Sequence, residues 1–371
     1  MRRLKGIAFG LSLAAICSGP GSAQSTTSPT QSSSMSVAAL SQSLDAIAEK
    51  HHLGALWFHI EQGGTVLANL GIRGASPDAP EPVGSLSKSI TGIAIALLIQ
   101  DGKLTLDRTV GEVLGNLYAQ HHRSLDASIK DVTIERLLTH TAGLRPNKIA
   151  DPVNGLESES VLRVLRANAN AFDFLNASNG DHSSGESNFV YSNMSFLMLG
   201  LVVEAVSGQS YEDFCRTRIF QPLKITDESL LGGRYRPVAS YSGWILSRND
   251  IAKIWFNVFD RSHPTLLTAE TLSNTLFAPL GQSVGKNHDA HYVMGAYVRP
   301  SADHSAYRIW HNGVQSTFLL ETGDHKGHYS YLEDNIPGSL WIFATSPVPP
   351  EKEWSLISAD IRSLVDTTFH N

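Results

Sequence analysis

The positions of hydrophobic residues divide the chain into strand-like ends and a helical middle. Leu40, Leu44 and Ile47 form one apolar stripe, which predicts a helix over 37–51. The runs 56–60 and 65–70 are joined across two glycines and predict an antiparallel hairpin. A second apolar stripe, with Leu86, Ile90, Ile93 and Leu97 on one face, predicts a helix over 85–100.

Helical patterns dominate from 104 to 237, whereas short β-type runs return towards the C-terminus. The predicted helices are 134–138, 161–165, 196–206 and 211–220, and another follows around 249–258. The β-type runs are 292–298, 307–310, 317–321 and 340–344, and a closing helix is predicted over 351–368. This order predicts an α/β domain formed by 37–103 and 238–371 that is interrupted by a helical domain, 104–237.

The first residues have the features of a cleavable secretory signal peptide. Three basic residues precede a short apolar run, and small residues end at Ala23. Because the apolar run is too short for a good membrane span, 1–23 is predicted to be removed, which leaves no transmembrane segment and a periplasmic or secreted protein. Lipidation of Cys17 is a weaker alternative. Residues 24–36 are rich in Ser, Thr and Gln and are predicted to be a disordered tether.

Composition and charge exclude several functional classes. The 371 residues are 42% hydrophobic and 17% charged, so a large core is expected and global disorder is excluded. The net charge is −6 and the sequence has no basic stripe, which argues against nucleic acid as a partner. The sequence lacks the glycine-rich nucleotide-binding fingerprints, so no cofactor is predicted. A small molecule or peptide is the expected partner, as a substrate, and the oligomeric state is left open.

Ser85 and Lys88 are the sharpest candidates for chemistry. Residues three apart on a helix share a face, so the Lys88 ammonium can lie beside the Ser85 hydroxyl. Serine is a weak nucleophile unless a neighbouring base takes its proton, and a lysine can serve when its surroundings favour the neutral amine. The start of a helix also offers backbone N–H groups to a developing oxyanion. For the tetrapeptide alone, a solvated Ser/Lys pair is the alternative.

Two later elements extend the candidate site. Tyr191 and Asn193 come just before a predicted helix, where a tyrosine hydroxyl can relay a proton and an asparagine amide can hold a substrate carbonyl. His311 and Gly313 lie on a predicted strand, and the glycine permits close approach of the backbone to a ligand. Taken singly, Tyr191 also fits ordinary core packing and His311 a satisfied strand histidine.

Together, in this order and at these separations, the motifs resemble those of the serine β-lactamase and penicillin-binding protein superfamily, and more closely its class C β-lactamase-like branch. That superfamily combines S-x-x-K, a Y-x-N or S-x-N element, and K-T-G or H-x-G. Three further stretches resemble the branch: the run T-I-E-R-L-L-T-H-T-A-G-L at 133–144, I-F-Q-P-L at 219–223, and the segment 243–252. The resemblance spans about 37–345. It implies an α+β fold in which an antiparallel sheet flanked by helices is interrupted by an all-helical domain.

The resemblance also implies a role for each candidate residue. Ser85 would be the acylated nucleophile, Lys88 would help to deprotonate it, and Tyr191 would be the general base or proton relay. The substrate contacts would be Asn193, His311 in place of the Lys of K-T-G, Gly313, and Val314. The backbone N–H groups of Ser85 and Val314 would form the oxyanion hole. His140 falls in a run that looks structural and is not assigned to the site.

The substrate expectation follows from the departures from this pattern. His311 stands where class C β-lactamases have Lys, and a neutral imidazole holds a carboxylate less firmly near neutral pH. The expected protein is therefore a secreted serine hydrolase that favours a short-chain ester, with β-lactams or D-amino-acid peptides as alternatives. A sensor of the penicillin-binding type, which acylates without turnover, is the rival interpretation. A surface-interaction protein with a dead site is a third.

Three other patterns favour a simpler interpretation. The segment 281–285 matches G-x-S-x-G around Ser283, but it lacks the strand-to-helix context that this motif requires. His288 and His291 could chelate a metal, although exposed loop histidines are more common, so no metal is predicted. Cys215 lies on an amphipathic helical pattern and is interpreted as packed core.

Overall fold

The computed structural model describes residues 36–144, 150–151, 156–157, 170–177, 183–226, 229–230, 233–259, 266–278, 280–284, 289–302, 306–318, 325–336 and 339–369. The predicted signal peptide, 1–23, and the predicted helix 161–165 lie outside the described residues. Of the predicted tether only Ser36 is described. Its hydroxyl accepts a hydrogen bond from the backbone N–H of Ala39 at 3.2 Å and so caps the first helix.

An eight-stranded antiparallel sheet organises the chain, in the order β2-β1-β13-β12-β11-β10-β9-β8. Its strands are β1 (Ala55–Gln62), β2 (Thr65–Ile72), β8 (Ser283–Val284), β9 (Ala290–Val293), β10 (Ala296–Pro300), β11 (Tyr307–Phe318), β12 (His325–Ile336) and β13 (Ser339–Ser346). The short strands are β3 (Glu81–Pro82), β4 (Ala150–Asp151), β5 (Leu156–Glu157), β6 (Ser229–Leu230) and β7 (Trp244–Leu246). The first and last long strands pair along their length, from Ala55 with Ser346 to Gln62 with Ser339.

Helices cover both faces of the sheet and fill the middle of the chain. The α-helices are α1 (Val37–Lys50), α2 (Ser87–Gln100), α3 (Val110–Gln120), α4 (Ala127–Lys130), α5 (Ile134–Leu138), α6 (Ala171–Ala177), α7 (Asn193–Ser207), α8 (Tyr211–Cys215), α9 (Ala239–Ser242), α10 (Arg248–Phe259), α11 (Ala269–Thr275) and α12 (Glu351–Phe369). The predicted α+β fold is confirmed: the helices flank an antiparallel sheet and are concentrated between its two contributing segments. The domain boundaries stay a prediction.

The core is divided into two clusters of buried apolar side chains. One joins the sheet to the terminal helices, with Leu44 of α1, Phe58 of β1 and Ile361 of α12 all fully buried. The other fills the space between the sheet and the middle helices. Burial of a Leu or Phe side chain contributes about 1.5–3 kcal/mol, so both clusters hold the layers together. Cys215 is buried in the second cluster, as expected for packed core.

Helix α2 is more deeply buried than its one-sided pattern predicts. Every residue from Ser87 to Leu98 is buried, because the helix runs between the sheet and the helical layer. Gly92 and Gly295 make the close approach possible, since a Cβ atom on either would collide with the backbone of Met294 or Lys88. Most of these buried residues are apolar, and the buried hydroxyls of Ser89 and Thr91 donate to the backbone carbonyls of Gly295 and Ser240.

The strand predictions near the C-terminus need correction. The predicted run 292–298 is two strands, β9 and β10, which form a hairpin around Met294 and Gly295. The separate runs 307–310 and 317–321 are one strand at 307–318, and 319–321 lie outside the described residues. Strand β12 was not predicted, because its sequence mixes charged residues with aromatic ones.

The described residues contain neither a membrane-spanning helix nor a cluster of metal-binding side chains. Within the part of the chain that the structure describes, no helix has the length and apolar character needed to cross a membrane. In the same residues, no group of three or more His, Cys, Asp or Glu side chains is arranged to hold a metal ion. His288, one of the two histidines considered as metal ligands, lies outside the described residues.

Candidate active site

Ser85 sits in a single 3-10 turn, Gly84–Leu86, that leads directly into α2. The side chain of Ser85 is half-buried, whereas the residues on either side are buried. Gly84 has a φ of 55°, and a Cβ atom there would lie 2.6 Å from the backbone oxygen of Val314. Glycine is needed here both for the left-handed backbone and for the close approach of β11.

Lys88 is fully buried, and its ammonium points at the hydroxyl of Ser85. The Lys88 Nζ atom lies 3.0 Å from the Ser85 Oγ atom and 3.0 Å from the backbone carbonyl oxygen of Tyr241, and it can donate a hydrogen bond to each. The same Nζ atom is 4.9 Å from the ring centre of Tyr191. The predicted sharing of a helix face by Ser85 and Lys88 is therefore present in the geometry, and the structure adds Tyr191 to the pair.

His140 is hydrogen-bonded to both sequence neighbours of Tyr191 and so holds Tyr191 in place. The backbone carbonyl of His140 accepts the N–H of Val190 at 2.9 Å, and its Nδ1 atom accepts the N–H of Ser192 at 3.2 Å. Its ring packs 4.5 Å from the ring of Tyr191. Burial, together with the positive charge of Lys88, lowers the pKa of His140 well below its ordinary value, so the ring stays neutral. Sequence reasoning left this residue out of the site.

His311 lies on β11 with its ring buried, and both ring nitrogens are hydrogen-bonded. The Nδ1 atom contacts the backbone carbonyl oxygen of Asn312, so this nitrogen must carry the proton. The Nε2 atom therefore accepts, and the hydroxyl of Tyr292 donates to it at 3.0 Å. Burial and the charge of Lys88 lower the pKa of His311 to about 3, although the bond to Asn312 acts in the other direction. A direct contact between His311 and a substrate stays a prediction.

Strand β11 passes beside the Ser85 turn along its unpaired edge. The neighbouring strand β10 pairs with β11 only as far as Trp310. Beyond that point Gly313 approaches the turn so closely that a Cβ atom would collide with the backbone carbonyl of Val83. Gly313 and Val314 thus lie next to the turn that carries Ser85. A role of the Val314 N–H in an oxyanion hole stays a prediction.

A buried side-chain bond links the two backbone segments that flank the Ser85 turn. The hydroxyl of Ser242 donates to the Oε1 atom of Gln315 at 2.6 Å, and both side chains are fully buried. Ser242 follows Tyr241, whose carbonyl accepts from Lys88, and Gln315 follows Val314. The hydrogen bond therefore connects the segment 241–242, whose carbonyl oxygen binds Lys88, to strand β11 beside Ser85.

The remaining candidate residues differ in their positions. Asn193 is half-buried and begins α7, two residues after Tyr191. Ser283 belongs to the two-residue edge strand β8, which pairs with β9, and not to a strand-to-helix turn. Tyr292 was missed by the sequence analysis, because its run indicated only a strand. A left-handed φ of 56° at His140 marks a second missed position, since this conformation is uncommon in a non-glycine residue.

Comparison with known proteins gives a family match and several relatives. The family model described as Beta-lactamase matches residues 39–244. Protein flp of Staphylococcus aureus is 28% identical over 246 residues, which are 62% of this chain and 46% of the relative. The chain therefore spans about half the length of this curated relative. Penicillin-binding protein 4 of Amycolatopsis lactamdurans is 26% identical over 310 residues, 79% of this chain and 75% of the relative.

A solved structure supports the same fold. The D-amino acid amidase of Ochrobactrum anthropi SV3, complexed with L-phenylalanine amide, superposes with a TM-score of 0.67 at 14% sequence identity. The superposition covers 89% of this chain and 99% of the amidase. At this level of identity the similarity concerns the fold, and the chemistry must be argued from the residues around Ser85.

Proposed function

Because the chain belongs to the Beta-lactamase family, we propose that it is a serine hydrolase that forms an acyl-enzyme on Ser85. The observation that carries the proposal is the 3.0 Å contact between the Lys88 Nζ atom and the Ser85 Oγ atom at the start of a buried helix. A basic side chain within hydrogen-bond reach of a serine hydroxyl is the arrangement that nucleophilic catalysis requires.

In the proposed reaction, the Ser85 Oγ atom attacks the carbonyl carbon of an ester or amide. The serine proton passes to the pair formed by Lys88 and Tyr191, whose ring lies next to the Lys88 Nζ atom. To accept it, the pair must first have lost one proton, so that it holds either the neutral Lys88 amine or the Tyr191 phenolate. The backbone N–H groups of Ser85 and Val314 stabilise the charge that develops on the carbonyl oxygen. The bond to the leaving group then breaks, and the leaving group takes a proton from the same pair. Water hydrolyses the Ser85 ester and restores the hydroxyl.

The proposed substrate is an uncharged short-chain ester, with β-lactams and D-amino-acid peptides as slower alternatives. A carboxylate-bearing substrate gains most from a fixed positive charge on β11, and the residue there is His311. Its pKa of about 3 keeps the imidazole neutral near neutral pH. The names of two related proteins, a penicillin-binding protein and a D-amino acid amidase, support the alternatives.

The proposal includes export from the cytoplasm. The basic start, the short apolar run and the small residues before Gln24 support cleavage of a signal peptide after Ala23. N-terminal sequencing of the protein purified from the periplasm or the medium tests this step. Recovery of the uncleaved chain in the cytoplasm alone would contradict it.

Substitution of Ser85 by Ala is the direct test of the enzymatic proposal. The full chain is incubated with p-nitrophenyl butyrate, nitrocefin and a D-Ala-D-Ala peptide, and with a fluorophosphonate probe whose attachment is read by intact mass. Ser85→Ala is expected to abolish turnover and labelling. The matched control, Ser283→Ala, removes the serine of the competing motif and is expected to retain both. Turnover in Ser85→Ala, or its loss in Ser283→Ala, would refute the assignment.

Time courses separate the hydrolase from the sensor that acylates without turnover. A hydrolase releases p-nitrophenol at a steady rate after any burst, because its acyl-enzyme is hydrolysed. A sensor releases one equivalent per protein and then stops. A burst with no steady state on all three substrates would favour the sensor.

A further inference from the structure

A cavity of about 220 Å³ lies among the helices α6, α7, α8 and α9. None of the residues assigned to the Ser85 site is among the described residues that line it. Part of its wall is apolar and is formed by Ala171, Gly200, Pro237 and Ala239. Its charged groups are those of Glu204, Glu212 and Arg236. The proposed reaction gives this cavity no role.

Glu204 contributes a half-buried carboxylate to the lining of the cavity. Its Oε1 atom accepts the backbone N–H of Tyr211 at 3.0 Å. In the part of the chain that the structure describes, no arginine, lysine or histidine forms a salt bridge with Glu204. Burial raises the pKa of Glu204, although the Tyr211 N–H and the charge of Arg236 act in the other direction. A carboxylate that is partly removed from water gains from a cation beside it.

The arginines near Glu204 are paired with a different carboxylate. Arg216 and Arg236 both form salt bridges with Glu212, at 2.8 Å and 3.3 Å. The side chain of Arg236 is 57% exposed, so the cavity reaches the surface beside it. The described lining therefore has one more carboxylate than guanidinium groups, and Glu204 is the carboxylate that no arginine of the described chain balances.

We propose that the cavity binds a small organic ammonium compound, whose charged nitrogen pairs with the Glu204 carboxylate and whose apolar body packs against Ala171 and Ala239. A primary ammonium group offers three N–H donors, and hydrogen bonds between charged groups are stronger than those between neutral ones. Pockets for drug-sized ligands measure about 300–1000 Å³, so this cavity suits a molecule of the size of benzylamine. The described residues hold no metal-binding group of side chains, which favours an organic cation.

Helix α9 contributes to the cavity and to the Ser85 site through different residues. Ala239 and Ser240 line the cavity, whereas the carbonyl oxygen of Tyr241, the next residue, binds Lys88 at 3.0 Å. A ligand in the cavity therefore contacts the segment that supports Lys88 without contacting Ser85. The proposed site is thus distinct from the substrate site, and its binding can be measured without turnover.

Three ligands of the same shape and different charge test the proposal on the full chain by isothermal titration calorimetry. Benzylammonium is expected to bind with one site per chain. Benzyl alcohol, which has no charge, is expected to bind at least about tenfold more weakly, because it leaves Glu204 without a cation. Benzoate is expected to show no binding. Equal affinity for the three ligands, or no binding of benzylammonium, would overturn the proposal.

Substitution of Glu204 by Gln tests the contact with the charged nitrogen. Glutamine keeps an oxygen for the N–H of Tyr211 and removes only the charge, and it is expected to weaken benzylammonium binding by about tenfold or more. The matched control is Glu270→Gln, which removes an exposed carboxylate from the first turn of α11, outside the cavity. This control is expected to bind as the wild type does. An unchanged affinity in Glu204→Gln would contradict the proposal.

A second substitution tests the cavity itself and leaves its charges in place. Ala171→Phe puts a ring of about the ligand's size into the apolar part of the wall and is expected to abolish benzylammonium binding. The melting temperature of each variant shows that it is folded. Wild-type affinity in folded Ala171→Phe would overturn the assignment of the ligand to this cavity.

Labelling of Ser85 separates this site from the substrate site. Protein whose Ser85 carries a fluorophosphonate adduct is expected to bind benzylammonium still, because the ligand does not contact Ser85. Loss of binding on labelling would place the amine at the Ser85 site and overturn the proposal. Absence of Ser85 labelling in the wild type would instead refute the proposed function, and the comparison of Glu204→Gln with Glu270→Gln would still decide the cavity.

Discussion

The backbone carbonyl of Val83 occupies the space that any side chain on Gly313 would need. Gly313→Ala is therefore expected to push β11 away from the Ser85 turn, which displaces the Val314 N–H from the predicted oxyanion hole. Removal of one oxyanion donor costs about a hundredfold to a thousandfold in kcat. The measurements are the steady-state rate with p-nitrophenyl butyrate and the rate of labelling by a fluorophosphonate.

Gly115→Ala is the control for this substitution. Gly115 lies within α3, and a Cβ atom there would have no atom within 4 Å. Alanine in a helix interior is favoured over glycine by about 0.5–1 kcal/mol, so this variant should be at least as stable as the wild type and fully active. Normal labelling of Gly313→Ala would show that the close approach to Val83 does not matter for the reaction.

Lys88 and Tyr191 are predicted to act on one proton, and their substitutions should not multiply. Lys88→Met and Tyr191→Phe are each expected to lower kcat by about two to four orders of magnitude, the usual cost of losing a general base. The double variant should be no more than about tenfold worse than the poorer single variant. If Tyr191→Phe remains within about threefold of wild type in steady-state assays, Tyr191 is a packing residue and not a base.

The pKa of about 3 for His311 predicts that substrate preference does not depend on pH near neutrality. An imidazole with its ordinary pKa of about 6.5 would become charged as the pH falls, and would then attract carboxylates. Here it stays neutral, so the ratio of kcat/KM for nitrocefin to that for p-nitrophenyl butyrate should be flat from about pH 5 to about pH 8. A ratio that rises several-fold towards the acid end would show that His311 is protonated in this range and reachable by the substrate.

Glu333 is predicted to be a major support of the C-terminal helix. Its carboxylate is fully buried and pairs with Arg362 of α12 at 2.6 Å and with Arg308 of β11 at 3.0 Å. Burial by itself would raise the pKa of Glu333, but the hydrogen bonds and charges of the two arginines outweigh it and hold the pKa below its ordinary value. Arg362→Met removes one of the two arginines that balance the charge of Glu333. It should lower the free energy of unfolding by about 3 kcal/mol or more.

The pH dependence of that loss has a definite sign. A carboxyl group whose pKa is lowered by folding stabilises the protein above the pKa of the unfolded chain, and this contribution disappears as the pH falls through the folded value. Urea unfolding should therefore show the largest difference between wild type and Arg362→Met near neutral pH and a smaller one below about pH 4. A difference independent of pH would mean that Arg362 acts through packing alone.

The local pattern of the chain was sufficient for some parts of the site and not for others. The spacing of Ser85 and Lys88 predicted a shared helix face, because two residues that are three positions apart on a helix lie on the same side. Tyr292 and His140 could not be found in this way, since their contacts depend on segments far away in the sequence. His140 meets Tyr191 only because Val190 and Ser192 bond to it across 50 or more positions.

Strand β12 illustrates the same limit for the fold. Its Glu333 is a charged residue in the middle of the sheet, where a periodic pattern predicts an apolar one. The two arginines that compensate the charge come from β11 and α12, so the reason for its burial is tertiary. Helix α2 was predicted more closely, because an apolar run of this length specifies a helix even though its complete enclosure is decided by the packing around it.

The pairing of β1 with β13 has a consequence for biosynthesis. Thr345 donates its hydroxyl to the backbone oxygen of Ala55, a residue made 290 positions earlier. While the chain is still on the ribosome, the N-terminal hairpin therefore has no partner along the inner edge of β1 until the last strand emerges. Contacts of such long range also slow folding. The sheet is thus expected to close after synthesis, which leaves the nascent chain open to chaperones.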